Sequence, residues 1–204
     1  MQNFEMPTAR FDRTVARMAA RRTAPAVQSA ARAATWAADG KVVIASLTAF
    51  WLCSRASARK RRVQTDHLVA AAVAAVLLPK LIKGAIDQQR PDRSVVGPDR
   101  RGVGKSGNRF DAFPSGHAVH IGAVSSALSW MFPERAPLVW GIGAATGLTR
   151  VAVLAHWPSD VVAGIGLGVT VERLLRPIAT ARLGSSSGPA ADFQPAGALA
   201  DNPA

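Results

Sequence analysis

Three short stretches of this chain carry side chains that together suit the handling of a phosphoryl group. They are Lys83 with Arg90-Pro91, then Pro114-Ser115-Gly116-His117, then Arg150 followed by His156 and Asp160. Lys83 and Arg90 offer fixed positive charge to phosphoryl oxygens, and the planar fork of an arginine meets two such oxygens at once. Ser115 and Gly116 follow a proline at what reads as a helix start. Unpaired backbone N–H groups and the helix dipole favour an anion there, and a glycine lets it come close. Between His156 and Asp160 lies Pro158, which belongs in the first turn of a helix, so the aspartate is predicted to fold back onto one ring nitrogen of His156. That contact fixes the tautomer and leaves the other nitrogen free as a nucleophile. His117 is the second imidazole, suited to protonate a departing alkoxide and then to activate the water that hydrolyses a phosphohistidine.

These residues need elements that bring them together. Residues 1–40 read as a basic amphipathic segment lying at an interface, with Phe11, Val15, Met18 and Ala19 as the apolar side of a helix. Residues 41–178 read as one transmembrane domain, and residues 179–204 as a disordered tail rich in Ser, Gly, Pro and Ala from Gly184 onward. Five apolar runs are expected to cross: Lys41 to Cys53, lengthened by residues 33–38, then His67 to Ile86, Ala118 to Phe132, Leu138 to Ala155 and Val161 to Leu175. Arg55, Arg59, Lys60, Arg61 and Arg62 mark the loop after the first span as the inner one. Counting from it, the loop 87–113, the start of the third span and the segment around His156 share one outer face. The expected fold is therefore all-α, a polytopic transmembrane helical bundle.

Composition agrees with that class. Hydrophobic residues make up 49% of the 204, and the net charge of +12 is concentrated in stretches that alternate with apolar runs, as in a membrane protein rather than a nucleic-acid binder. The single cysteine, Cys53, excludes an intramolecular disulfide and any cysteine cluster for a metal. Ionisable groups within or at the ends of spans are functional by default, which favours roles for Lys83, Arg150, His156 and Asp160 over a structural Arg150–Asp160 pair. His67 reads as an interface residue, and Trp36, Trp51, Trp130, Trp140 and Trp157 as an aromatic belt at span ends. Arg93, Arg100, Arg101, Lys105 and Arg109 read as a solvated loop able to attract an anionic head group.

In order and spacing, Lys83-x6-Arg90-Pro91, Pro114-Ser115-Gly116-His117 and Arg150-x5-His156-x3-Asp160 resemble the three signature motifs of the type 2 phosphatidic acid phosphatase family of lipid phosphate phosphatases. The resemblance covers about residues 67 to 176. It implies that Lys83, Arg90, Ser115, Gly116 and Arg150 hold the phosphate, that His117 is the general acid, and that His156 is the nucleophile oriented by Asp160. It implies a metal-independent hydrolase without cofactor, acting on a lipid or polyprenyl phosphate or pyrophosphate in the bilayer, with no nucleic-acid partner. The expected location is a bacterial inner membrane with the site facing outward. Thr149 stands where the family usually has serine, and five spans are read where six are common. The same constellation resembles that of vanadium-dependent haloperoxidases, so a vanadate-dependent oxidant is one alternative, and a non-catalytic phospholipid-binding membrane protein is the other.

Overall fold

The computed structural model describes residues 9–22, 25–37, 39–83, 86–94, 108 and 110–185. Eight helices follow in order: α1 (Ala9–Arg22), α2 (Pro25–Ala37), α3 (Gly40–Cys53), α4 (Arg59–Lys83), the single turn α5 (Pro91–Ser94), α6 (Gly116–Met131), α7 (Ala136–Ala152) and α8 (Pro158–Gly184). No named strand occurs among the described residues; a lone parallel bridge joins Gln88 and Asp111.

The expected lengthening of the first span through residues 33–38 does not occur. Asp39 caps α3 instead, its Oδ1 accepting the Lys41 N–H at 2.9 Å, and α2 ends as a separate helix at Ala37. A short polar side chain that bonds the backbone two residues on is a better helix start than a helix interior. At its other end α3 turns back into α4 through hydroxyl contact of Ser54 with Thr65 at 2.7 Å and an Arg55–Asp66 ion pair at 2.8 Å. α4 runs on through Pro79, is 25 residues long and is the one described helix both long and apolar enough to cross a bilayer unaided. α8, at 27 residues, runs beyond the boundary expected at 178 and carries Glu172, Arg173 and Arg176 within it. The tail from residue 186 lies outside the described residues.

α6 and α8 form the centre of the bundle. They approach so closely because glycines stand at the crossing. A Cβ on Gly164 would lie 2.8 Å from both Ala118 Cβ and Ser115 O, and one on Gly168 would lie 2.7 Å from Ala123 N and closer still to Val119 O. Small residues are how helices pack where apolar surroundings give no hydrophobic drive for association. α4 adds Ala75 against Val119 and Ala123, while Leu81, Leu138, Leu148, Val162 and Leu174 point outward on α4, α7 and α8. That outward apolar surface suits lipid contact.

At the end away from the site, Glu172 is fully buried and accepts from His67 Nε2 at 2.7 Å, Ser126 Oγ at 2.7 Å and Arg176 at 2.7 and 2.9 Å. His67 is therefore not an interface residue. It packs edge-on against Trp130 in the interior and ties α4 to α8. α1 packs on the bundle by one side. Its buried stripe is Asp12, Ala16 and Ala20 with Val15 and Ala19 beside it, whereas Phe11 and Met18 face outward.

Candidate active site

Antiparallel alternation brings the site together. α3, α6 and α8 begin, and α4 and α7 finish, at one end of the bundle, so Lys83, Gly116, Arg150 and His156 arrive there from four different elements. The irregular segments at this end are stitched by backbone bonds. Gln88 N–H donates to Phe110 O at 3.1 Å, Ala112 N–H to Gln88 O at 3.0 Å, Asp92 N–H to Leu154 O at 3.1 Å, and Ser115 N–H to Asp160 O at 3.3 Å.

Arg90 is buried at 5% exposure. Its Nε donates to Asp111 Oδ1 at 2.9 Å, its Nη2 stands 2.8 Å from the same oxygen, and its Nη1 donates to Ala155 O at 3.2 Å, beside His156. Lys83 Nζ lies 3.5 Å from the other oxygen of Asp111. One carboxylate thus holds the two cations of the first motif. The sequence reading missed Asp111; its only signal was an acidic residue three positions before Pro114 in a strongly basic loop.

Ser115 is fully buried at the N-cap of α6, after the cis Phe113–Pro114 peptide bond, and its Oγ has no hydrogen-bond partner among the described residues. The first N–H groups of α6, from Gly116 onward, lack intrahelical acceptors by the geometry of any helix. Arg150 is buried in the last turn of α7, with Nε likewise unpartnered among the described residues. Buried donors of this kind are rare unless something is meant to meet them. The neighbouring Thr149 hydroxyl donates to Thr146 O at 2.6 Å within α7.

His156 lies in the turn between α7 and α8 at 3% exposure. Its Nδ1 is 2.7 Å from Ala112 O. A carbonyl only accepts, so Nδ1 carries the proton and Nε2 of the neutral ring carries the lone pair. Burial, then the positive charges of Arg90 and Arg150, hold its pKa well below the ordinary 6.5; the Ala112 bond opposes this, and Lys83 adds to the lowering. The expected direct bond to Asp160 is not formed. Asp160 Oδ2 accepts the Trp157 N–H at 2.8 Å and stands 3.9 Å from His156 Nδ1. The backbone oxygen of Ala112, which no sequence pattern displays, sets the tautomer.

Trp157 is buried rather than part of an interfacial belt, its Nε1 donating to Gln89 O at 2.8 Å. Leu154, two residues before His156, has φ 57°. A bulky L residue in that region carries roughly 1–2 kcal/mol of strain and is held there by its surroundings. His117 is half-buried and lines two cavities: one of about 620 Å³ shared with Lys83, Gly116 and Pro79, the other of about 440 Å³ walled by Ile121, Val124, Leu128 and Ile142. His120 lines both, and Gly40 leaves room for it, since a Cβ there would lie 2.8 Å from its ring. Arg100, Arg101, Lys105 and Arg109, and the side chain of Arg93, lie outside the described residues.

The family model for the PAP2 superfamily matches residues 65–183, more than half of the chain and all three motifs. The chain belongs to the PAP2 superfamily. Two lipid A 1-phosphatases are similar to it, from Rhizobium johnstonii (38% identity, 53% of this chain and 44% of the relative) and from Rhizobium etli (37%, 58% and 51%). Its matched stretch thus spans about half the length of these curated relatives. Among solved structures, the transmembrane PAP2-type phosphatidylglycerolphosphate phosphatase of Bacillus subtilis superposes with a TM-score of 0.61, covering 87% of this chain and 89% of that one at 17% identity. At that identity the likeness is one of fold. The all-α transmembrane bundle expected from the sequence is the fold of this PAP2 chain.

Proposed function

We propose that this PAP2 protein is a phosphoric monoester hydrolase acting on a lipid phosphate through His156. The observation that carries the proposal is the geometry of that ring: its Nδ1 lies 2.7 Å from Ala112 O, leaving Nε2 as the free nitrogen, in a turn that Arg90 and Arg150 both contact. The relatives' names favour a lipid phosphate as substrate, and the cavity beside His117 walled by Ile121, Val124, Leu128 and Ile142 suits its hydrocarbon part.

In the proposed reaction Lys83, Arg90, Arg150, Ser115 and the first N–H groups of α6 hold the phosphoryl oxygens. His156 Nε2 attacks phosphorus, and the bond to the ester oxygen breaks as His117 gives that oxygen a proton. Water then attacks the phosphohistidine, His117 takes back a proton, the P–N bond breaks and inorganic phosphate leaves. Pre-organised donors aimed at a developing charge are usually the largest contributor to such catalysis. The scheme uses only this chain's own groups. Asp160, 3.9 Å from Nδ1, acts on the cationic phosphohistidine through space. The site is proposed to open at the outer face of a bacterial inner membrane.

The test is phosphate release by detergent-solubilised protein over a panel of phosphorylated lipids, with EDTA present, for the wild type, His117→Ala and His156→Ala. Label from a radioactive phosphate group should appear on the wild type in an acid-labile, base-stable form and be absent from His156→Ala. Turnover surviving in His156→Ala would sink the mechanism. Bromide oxidation with vanadate and peroxide in place of phosphate release would favour the haloperoxidase alternative, and tight lipid binding without release the non-catalytic one.

A further inference from the structure

α1 lies outside the stretch matched by the family, yet it packs on the catalytic turn itself. Its stripe of Asp12, Ala16 and Ala20, spaced by four, is the face it buries. Ala16 and Ala20 belong to one cluster with Ala112, Leu154 and Trp157. Of those three, Ala112 supplies the carbonyl that fixes His156, Leu154 is the residue at φ 57°, and Trp157 is the chain neighbour of His156. Val15 packs on a second cluster with Ala118, Val151 and Val161.

Asp12 completes the contact. At 3% exposure, its Oδ1 accepts the Ser159 N–H at 3.0 Å and its Oδ2 accepts from Ser159 Oγ at 2.5 Å. Ser159 is in the first turn of α8, where N–H groups have no acceptor within their own helix, so a carboxylate from another segment serves as the cap. A charged residue on the buried face of a surface helix is otherwise unfavourable, and this one is satisfied by the helix start that follows the nucleophile. The outward side of α1 carries Arg10, Arg13, Arg17 and Arg21.

We infer that α1 is a strap that fixes the catalytic turn 153–157, and that Asp12 is a positioning residue for His156. The turn needs such a strap because Leu154 sits in a conformation that bulky residues rarely adopt, and packing from α1 is part of what holds it there. Without the strap the turn would relax and His156 Nε2 would lose its line of attack, while Lys83 and Arg90 stayed clamped by Asp111, Arg90 giving up at most its bond to Ala155 O. The signature is therefore a fall in kcat with KM kept.

The inference rests on His156 being the nucleophile, so His156→Ala is measured alongside. In the full-length protein in detergent, with a lipid phosphate substrate, Asp12→Ala should lower kcat by about 10- to 100-fold, the scale of an ångström-level misplacement, with KM within about threefold. Asp12→Asn, which keeps an oxygen for the Ser159 N–H, should recover most of that loss. Ser159→Ala removes one of the two bonds and leaves α1 intact. It should lower kcat by about threefold or more, and the double variant should be no worse than Asp12→Ala, as for two partners of one contact. If Asp12→Ala fails to fold, Ser159→Ala and Asp12→Asn carry the test through the same kcat-against-KM split. Wild-type kcat in folded Asp12→Ala or in Ser159→Ala, additive losses in the double variant, or a change confined to KM would overturn the strap. If His156→Ala turns over, the nucleophile assignment fails instead, whatever Asp12 does.

Discussion

Replacing Gly168 by alanine should lower the proposed phosphatase activity about a hundredfold from a position in mid-helix, away from the residues proposed to react. The added Cβ would stand 2.7 Å from Ala123 N and 3.0 Å from Val119 C, with Val119 O nearer still, all of it helix backbone that no rotamer change can move aside. Ordinary Cβ contacts begin at 3.4 Å, so α8 must retreat from α6 by at least about 0.7 Å. α6 carries Ser115, Gly116 and His117 at its start, and the start of α8 carries Asp160 beside His156, so the retreat separates the proposed phosphate cradle from the proposed nucleophile. A misplacement near 1 Å lowers rate by roughly 10²-fold, and overpacking of this kind destabilises by about 1–3 kcal/mol. Gly166, two residues along the same helix, would present a Cβ with no atom within 4 Å of it and serves as the control. Its replacement by alanine should leave kcat unchanged and stabilise the helix by up to about 1 kcal/mol. The assay is phosphate release together with the thermal unfolding midpoint in the same detergent. Gly168→Ala with kcat within threefold of wild type, or Gly166→Ala as harmful as Gly168→Ala, would refute the close-packing account.

The acid limb of kcat/KM should fall below pH 6.5, because the folded protein keeps His156 neutral; removing a cation with Arg150→Gln should move that limb upward while weakening substrate binding. Stability should decline as pH drops below 6.5, where the unfolded chain takes up a proton that the folded ring refuses, and the decline should level off below the folded pKa. Cys53, the single thiol, is exposed at the end of α3 opposite the site, so a membrane-impermeant maleimide should label it in intact cells only after permeabilisation if the site faces outward. Labelling without permeabilisation would reverse the orientation. Glu172→Ala leaves Arg176 and His67 without their shared acceptor and should destabilise by about 3–5 kcal/mol, with kcat per folded molecule kept because the site lies at the other end. A loss of kcat without a loss of stability would contradict that.

The helical class was legible in the sequence because its long apolar runs, and the charge set between them, are conspicuous. Lys83, Arg150 and His156 stand out as candidates by lying within or at the ends of apolar runs, where charge is unfavourable, whereas Arg90 is offered only by its spacing in the loop. What holds them was not legible. Asp111 clamps two cations from within a loop already crowded with charge, Ala112 contributes only a carbonyl, and the Asp12–Ser159 contact joins positions on opposite ends of the chain. Apolar periodicity gave Phe11, Val15, Met18 and Ala19 as the apolar side of an interfacial helix, but it could not show that α1 packs on the bundle through Asp12, Ala16 and Ala20, because a buried hydrogen-bonded carboxylate reads as polar surface. His67 and Trp157 misled for a related reason. Both are amphipathic types that suit a bilayer interface, and both found buried partners, in Glu172 and in Gln89 O, that no local pattern predicts.

The separation of Asp160 from His156 makes two contributions of one carboxylate measurable. Burial pushes the Asp160 carboxyl up to about 7, and in its ionised form, 3.9 Å away, it can favour a cationic phosphohistidine by up to about 4 kcal/mol at an effective dielectric near 20. Its Oδ2 also caps the turn by accepting the Trp157 N–H. Asp160→Asn removes the charge and keeps an oxygen for Trp157, whereas Asp160→Ala removes both. The asparagine should lower kcat by about a hundred- to a thousandfold, and alanine by about fivefold more, since a cap of this kind contributes about 1 kcal/mol. Equal losses in the two variants would mean that the Trp157 bond is idle. Wild-type turnover in Asp160→Asn would mean that the charge is idle, leaving the Ala112 carbonyl and the cap to hold the nucleophile without electrostatic help.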